Sequence, residues 1–174
     1  MKKIATFALL LTGLVMSSQT QAQEDKSKRP SPPAVVKQTL ASGAVISIDY
    51  SQPSVKGRTI GKDLEPKEGE VWRTGANEAT VFETSKAVKI NGKELPAGKY
   101  ALFSLCGKEN WTIIFNKTWK QWGAFKYSEA DDALRVQAKA GKADPFAEKM
   151  TFTIDKKGMV TLLWGDNKIT FAIE

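Results

Sequence analysis

Apolar residues recur at every second position along much of this chain, the spacing of strands with one covered face. Residues 44–50 place Ile46, Ile48 and Tyr50 on one side, and Ser47 and Asp49 on the other. Leu134, Val136, Ala138 and Ala140 alternate with Arg135, Gln137 and Lys139 in the same way. Three runs close the chain: Phe152 with Ile154, Leu162 with Trp164, and Ile169 and Phe171 with Ile173. Lys156-Lys157-Gly158 and Gly165-Asp166-Asn167 lie between these runs and predict two tight turns, hence a terminal three-stranded meander. Asn91-Gly92, between residues 88–90 and 93–95, is the strongest two-residue hairpin signal, because both residues tolerate positive φ. Residues 100–106 and 111–115 are nearly continuous apolar runs, which predict central strands covered on both faces. No stretch beyond the N-terminal segment keeps a helical period. Residues 128–132 predict one helical turn capped by Ser128. Together these runs predict an all-β fold, an antiparallel β-sandwich of about nine or ten strands with one or two long loops.

The first residues carry a different signal. Lys2 and Lys3 precede an uncharged, mostly apolar stretch over residues 4–16, which ends in polar and small residues including Thr20 and Ala22. The apolar stretch is shorter than the ~20 residues a spanning helix needs. Residues 1–22 therefore predict an export signal cleaved after Ala22, with no neighbouring Cys to accept a lipid. The expected location is periplasmic or extracellular, with no transmembrane segment. Residues 23–33 are polar and proline-containing and predict a flexible leader, followed by a single domain over residues 34–174.

Charge and cysteine content narrow the partners. The formal charge is +7; Lys2 and Lys3 fall in the expected export signal, and without them +5 is left. That surplus is spread along the chain without a Lys/Arg-rich run, so nucleic acid is not an expected partner. Cys106 is the single cysteine, which rules out an intramolecular disulfide and leaves stability to burial. Within its apolar run the thiol is expected to be inert.

The sequence contains no histidine. This excludes imidazole-based nucleophile activation, His-ligated zinc and imidazole acid–base chemistry. No phosphate-binding or dinucleotide-binding glycine loop is present. Glu129, Asp131 and Asp132 form an acidic group, but no calcium loop is spelled around them. No catalytic residue, metal or cofactor is assigned. What remains for an enzyme is carboxylate chemistry, with Glu78 and Asp49 as the pair to consider.

Two polar stretches interrupt the strands: residues 51–80 and residues 116–132. In the first, Arg58, Trp72, Arg73, Asn77 and Glu78 are the candidate ligand-binding residues. The arginines offer planar donor forks, and Asn77 and Glu78 offer mixed donors and acceptors. The same residues can equally hold the loop together by bonding its own backbone. In the second stretch, Trp119, Trp122 and Tyr127 form a candidate aromatic surface suited to stacking on sugar rings. The alternative is a lid over the end of the sandwich.

Several segments carry a family resemblance: Asp49-Tyr50-Ser51-Gln52-Pro53, Lys56-Gly57-Arg58, residues 71–80 with the string Trp-Arg-Thr-Gly-Ala-Asn-Glu, residues 95–100, and residues 111–117. They resemble a Bacteroidetes-type family of exported bacterial proteins, domain of unknown function 2911, over the chain from about residue 32 onward. Gln52 stands where the resemblance expects Arg, and Cys106 where it expects Pro. The resemblance implies export and an intact domain, and carries no activity. The expected function is therefore a non-catalytic envelope β-sandwich that binds a glycan-like or anionic molecule or an envelope protein. The alternatives are a carboxylate-dependent hydrolase using Glu78 and a purely structural envelope protein.

Overall fold

The computed structural model describes residues 25–174; the expected export signal at residues 1–22 lies outside them. Among the described residues there are ten strands and no α-helix. They are β1 (Pro33–Thr39), β2 (Val45–Ser51), β3 (Val71–Trp72), β4 (Thr80–Thr84), β5 (Val88–Ile90), β6 (Lys93–Leu95), β7 (Gly98–Leu105), β8 (Asn110–Asn116), β9 (Asp132–Ile154) and β10 (Met159–Ala172). The main sheet runs β1-β2-β4-β7-β8-β9-β10, with β3 added on β7. All of these pairings are antiparallel. The all-β, sandwich-like architecture is thus as expected from the alternating runs.

The sheet curls until its ends meet. Met150 N–H donates to the Pro53 carbonyl, and Val55 N–H to the Glu148 carbonyl. The chain leaving β2 therefore pairs with the second half of β9. Gln52 Nε2 reinforces this seam by donating to the Met150 carbonyl at 2.9 Å. That contact gives the departure at position 52 a structural role. Inside the curl, Ile46, Ile48, Phe82, Leu102, Phe115, Trp164 and Phe171 form a dry core. Phe115 meets Phe82, Tyr100 and Phe171 edge-on, at centroid distances of 4.9, 6.4 and 6.2 Å.

The apolar runs of β7 and β8 are covered on both faces. Leu102 and Phe115 point into the main core, while Ala101, Phe103 and Ile114 join Ala79 in a second, outer cluster. Ala124 and Tyr127, from the connection between β8 and β9, pack over that outer cluster.

The Asn91-Gly92 hairpin forms between β5 and β6, with φ of 46° and 78° at the two turn residues. The expected terminal meander is corrected. Gly165-Asp166-Asn167 is not a turn but lies inside β10, where the register with β9 shifts twice. Gly165 has φ 59°, and a glycine in that conformation serves a bulge as readily as a turn. The bulge bends the long β9–β10 ribbon so that one half pairs beside β8 and the other half reaches the chain after β2. The turn at residues 128–132 is present as a 3-10 turn, Glu129–Asp131. Ser128 precedes it, but its side chain makes no capping bond.

Candidate functional site

Strands β3 and β4 lie end to end along one edge of β7. Trp72 pairs with Ser104, and Thr80 pairs with Leu102. Residues 73–79 therefore leave the sheet and rejoin it opposite Phe103, forming an outward loop with both ends pinned. Thr74 and Asn77 have φ of 51° and 58°. A β-branched residue in that region is strained by about 1–2 kcal/mol. Bonds on every side hold it there. Thr74 Oγ1 donates to Ser104 Oγ at 3.0 Å, and Thr80 Oγ1 donates to the Thr74 carbonyl at 2.7 Å.

Most polar atoms of the loop are spent on scaffolding. Trp72 is 2 % exposed and its indole N–H donates to the Gly75 carbonyl at 3.1 Å. Asn77 Nδ2 donates to the Ser31 carbonyl at 3.0 Å. Arg58 donates to the Val55 and Ser54 carbonyls at 3.1 and 2.8 Å. Arg73 is the exception. Its Nε is buried without a hydrogen-bond partner, and burial lowers its proton affinity while the Glu65 charge opposes that shift.

The five candidate residues divide between two clefts on either side of the loop. Arg58, Trp72, Arg73 and Asn77 line one of about 410 Å3. Glu78 lines the other, of about 480 Å3, together with Asp49, Gln121, Trp119 and Trp122. Trp119 and Trp122 are 37 % and 55 % exposed. Each ring has a cation over it: Lys99 Nζ stands 5.4 Å from the Trp119 centroid, and the Arg29 guanidinium 5.7 Å from Trp122. Such contacts contribute about 0.5–1 kcal/mol at exposed sites and hold the rings in place. Tyr127 stands apart from these two. Its ring meets Phe103 edge-on at 5.1 Å, and its hydroxyl donates to Asp132 at 2.9 Å. The aromatic segment thus serves as a lid at Ala124 and Tyr127, and presents open rings at Trp119 and Trp122.

The segment before β1 completes the second cleft, and nothing local in the sequence announces it. In place of a free leader, residues 25–32 are tied down. A 3-10 turn, Lys26–Lys28, is capped by Asp25. Lys26 donates to Glu78 at 2.8 Å, and Arg29 donates to both Glu78 oxygens at 3.1 and 2.9 Å. Burial pushes the Glu78 pKa up, but the bonds from Lys26, its own backbone N–H and Arg29, with the Lys26 charge, outweigh it and hold the carboxyl at about 2. Asp49 in the same cleft shifts the other way, raised by burial and by the charge of Glu83.

The Glu78 shift has a definite sign. A carboxyl held at about 2 when folded, against 4.5 ordinarily, adds stability that is fully present above pH ~4.5 and is lost as the pH falls towards 2. Its side chain is 38 % exposed, so solvent screening reduces the contribution to about 1 kcal/mol. Urea unfolding of wild type and Glu78→Gln at pH 7 and pH 2.5 is expected to show a larger wild-type advantage at pH 7 than at pH 2.5. An equal gap at both pH values would rule the linkage out.

Cys106 follows β7 directly. Its thiol pKa is raised by burial and by the nearby Glu68 charge, which suits an unreactive role.

Residues 31–173 match the model of one family, described as a protein of unknown function (DUF2911). The chain belongs to that family. No curated protein and no solved structure matches it at a significant level. The match begins at Ser31, whose carbonyl receives the Asn77 bond, so the seven-residue loop and its contact with the preceding segment both fall within the family domain. Among the described residues no helix is long and apolar enough to cross a membrane.

Proposed function

We propose that this DUF2911 domain is an exported, non-catalytic binding module, acting in the periplasm or outside the cell, and that its ligand is glycan-like. The observation that carries the reading is the cleft in which Trp119 and Trp122 stand open beside a wall of mixed polar groups. Sugar rings offer apolar C–H faces, which stack on indoles, and hydroxyls, which need both donors and acceptors. Asp49, Ser51, Lys120 and Gln121 supply both kinds along the same cleft. The cleft is about 480 Å3, within the ~300–1,000 Å3 range of small-molecule sites.

Catalysis by Glu78 has less support. Both of its oxygens accept from cations, and a carboxyl held at about 2 is a weak base with no proton to give near neutral pH. Asp49 alone does not make the carboxylate pair that glycoside hydrolysis uses.

The test is tryptophan fluorescence titration with soluble cell-envelope oligosaccharides, comparing wild type with Trp122→Ala and Trp119→Ala. Saturable quenching is expected in the wild type, with affinity at least about fivefold weaker in either variant, since ring stacking on an aromatic side chain is worth about 1–3 kcal/mol. The reading fails if no oligosaccharide titrates the wild type, or if the variants bind equally well. A protein that protects Trp122 while sugars do not would transfer the surface to a protein partner.

A further inference from the structure

We infer that the cleft beside Arg73, separate from the Trp119–Trp122 cleft, is a binding site for a small organic carboxylate. Three observations converge there. The first is Arg73 itself. Its side chain is half-buried, its Nε–H has no partner, and no carboxylate of the described residues forms an ion pair with it. A buried donor left unmatched is destabilising, and an arriving anion recovers that cost. Among the described residues no other buried side-chain N or O atom of the loop lacks a partner, so the orphan is local to one side chain.

The second observation is the charge around the cleft. Arg58, Lys62, Lys67 and Arg73 line it against Asp63 and Glu65. The two carboxylates are already engaged: Asp63 accepts from Thr59 N–H at 2.9 Å, and Glu65 from Lys67 N–H at 3.2 Å. The Arg58 guanidinium is held only by neutral carbonyls. The lining therefore keeps a positive surplus, and Arg58 lends field without being consumed by a counter-charge.

The third observation concerns shape. The cleft of about 410 Å3 far exceeds the needs of an inorganic anion, and Pro53, Leu64 and Trp164 contribute apolar wall. A planar fork at one end with an apolar wall alongside matches an acid that carries a carbon skeleton. Inorganic phosphate has no carbon skeleton to lie along that wall and leaves it uncovered. The Arg73 guanidinium would face the carboxylate, whose charge would oppose the lowering of proton affinity that burial causes.

The experiment follows the arginine Nε–H resonances of the folded domain by nitrogen-15 correlation spectroscopy. Sodium succinate, sodium acetate and sodium phosphate are titrated separately at ionic strength fixed with sodium chloride. Succinate and acetate are expected to shift the Arg73 resonance saturably, while phosphate does not. Arg73→Gln is expected to weaken succinate binding at least tenfold by calorimetry. Arg73→Lys, which keeps the charge and loses the fork, is expected to weaken it several-fold, whereas Trp122→Ala leaves it unchanged. The proposal is overturned if succinate and acetate leave the wild-type resonance in place, if phosphate alone moves it, or if Arg73→Gln binds succinate as wild type does. The wild-type titration decides the matter even if a substitution unfolds the loop.

Discussion

Phe115→Ala is expected to remove about 3–5 kcal/mol of folding stability, the range for emptying a buried aromatic site. Phe115 is 0 % exposed and sits where β2–β4–β7–β8 on one side of the curl face β10 on the other. Three aromatic rings lean on its own, from β4, β7 and β10. Neighbours that belong to different strands cannot close the void by a shift of one strand, so most of the cavity would persist. Urea unfolding followed by tryptophan fluorescence measures the change. A loss below about 1.5 kcal/mol, the ceiling for a volume-conserving swap, would mean that the aromatic junction is not the centre of the core. Trp122→Ala, on the open cleft, is the control, with an expected change of at most about 1 kcal/mol, the worth of its contact with Arg29.

A second large effect is expected from a single added methyl group. Gly158, in the turn between β9 and β10, has φ 86°, and a Cβ built there would overlap the Ile173 carbonyl oxygen. The turn is otherwise tightly braced. Asp155 Oδ1 accepts from Lys157 and Met159 N–H at 2.8 and 2.9 Å, and Ile173 N–H donates to the Gly158 carbonyl at 2.9 Å. Gly158→Ala incurs about 1–2 kcal/mol for the left-handed backbone and about 1–3 kcal/mol for the overlap, so a loss of about 2–5 kcal/mol is expected in the same unfolding assay. Hydrogen exchange adds a specific readout, because the Ile173 amide should lose protection before the amides of β7. A variant as stable as wild type would show that the turn and the C-terminal strand do not touch.

The period-two pattern made the strands legible because each has one face in the core and a partner whose register follows from that face. The Asn91-Gly92 hairpin was legible because its turn type needs those residues. Gly165-Asp166-Asn167 was misread for the converse reason. Glycine permits both a turn and a bulge, and what decides between them is the partner strand, here residues 142–147 of β9, whose mix of charged and apolar residues carries no sustained alternation. The candidate loop was found by its Arg, Asn and Glu content, but composition could not say which atoms were spent. The Trp72 indole N–H is bonded within the loop and the Arg73 Nε–H is not. The division of Glu78 from Arg73 into different clefts depends on Lys26 and Arg29, about fifty residues earlier, and no local motif encodes a contact across that span.

The seam between the chain after β2 and the second half of β9 also bears on how the fold is reached. Gln52 bonds Met150, Tyr50 receives the Phe152 amide, and Lys89 exchanges both backbone bonds with Glu174. Partners separated by some eighty to a hundred residues give a high contact order, so loop-closure entropy is spent before most of the compensating burial arrives. The rate-limiting step is then the meeting of distant segments and not the formation of any one hairpin, which places this domain among the slower β folds, on the millisecond-to-second scale. Before that meeting, residues 53–55 and the second half of β9 expose unpaired backbone, and the chain is most open to wrong partners in that interval.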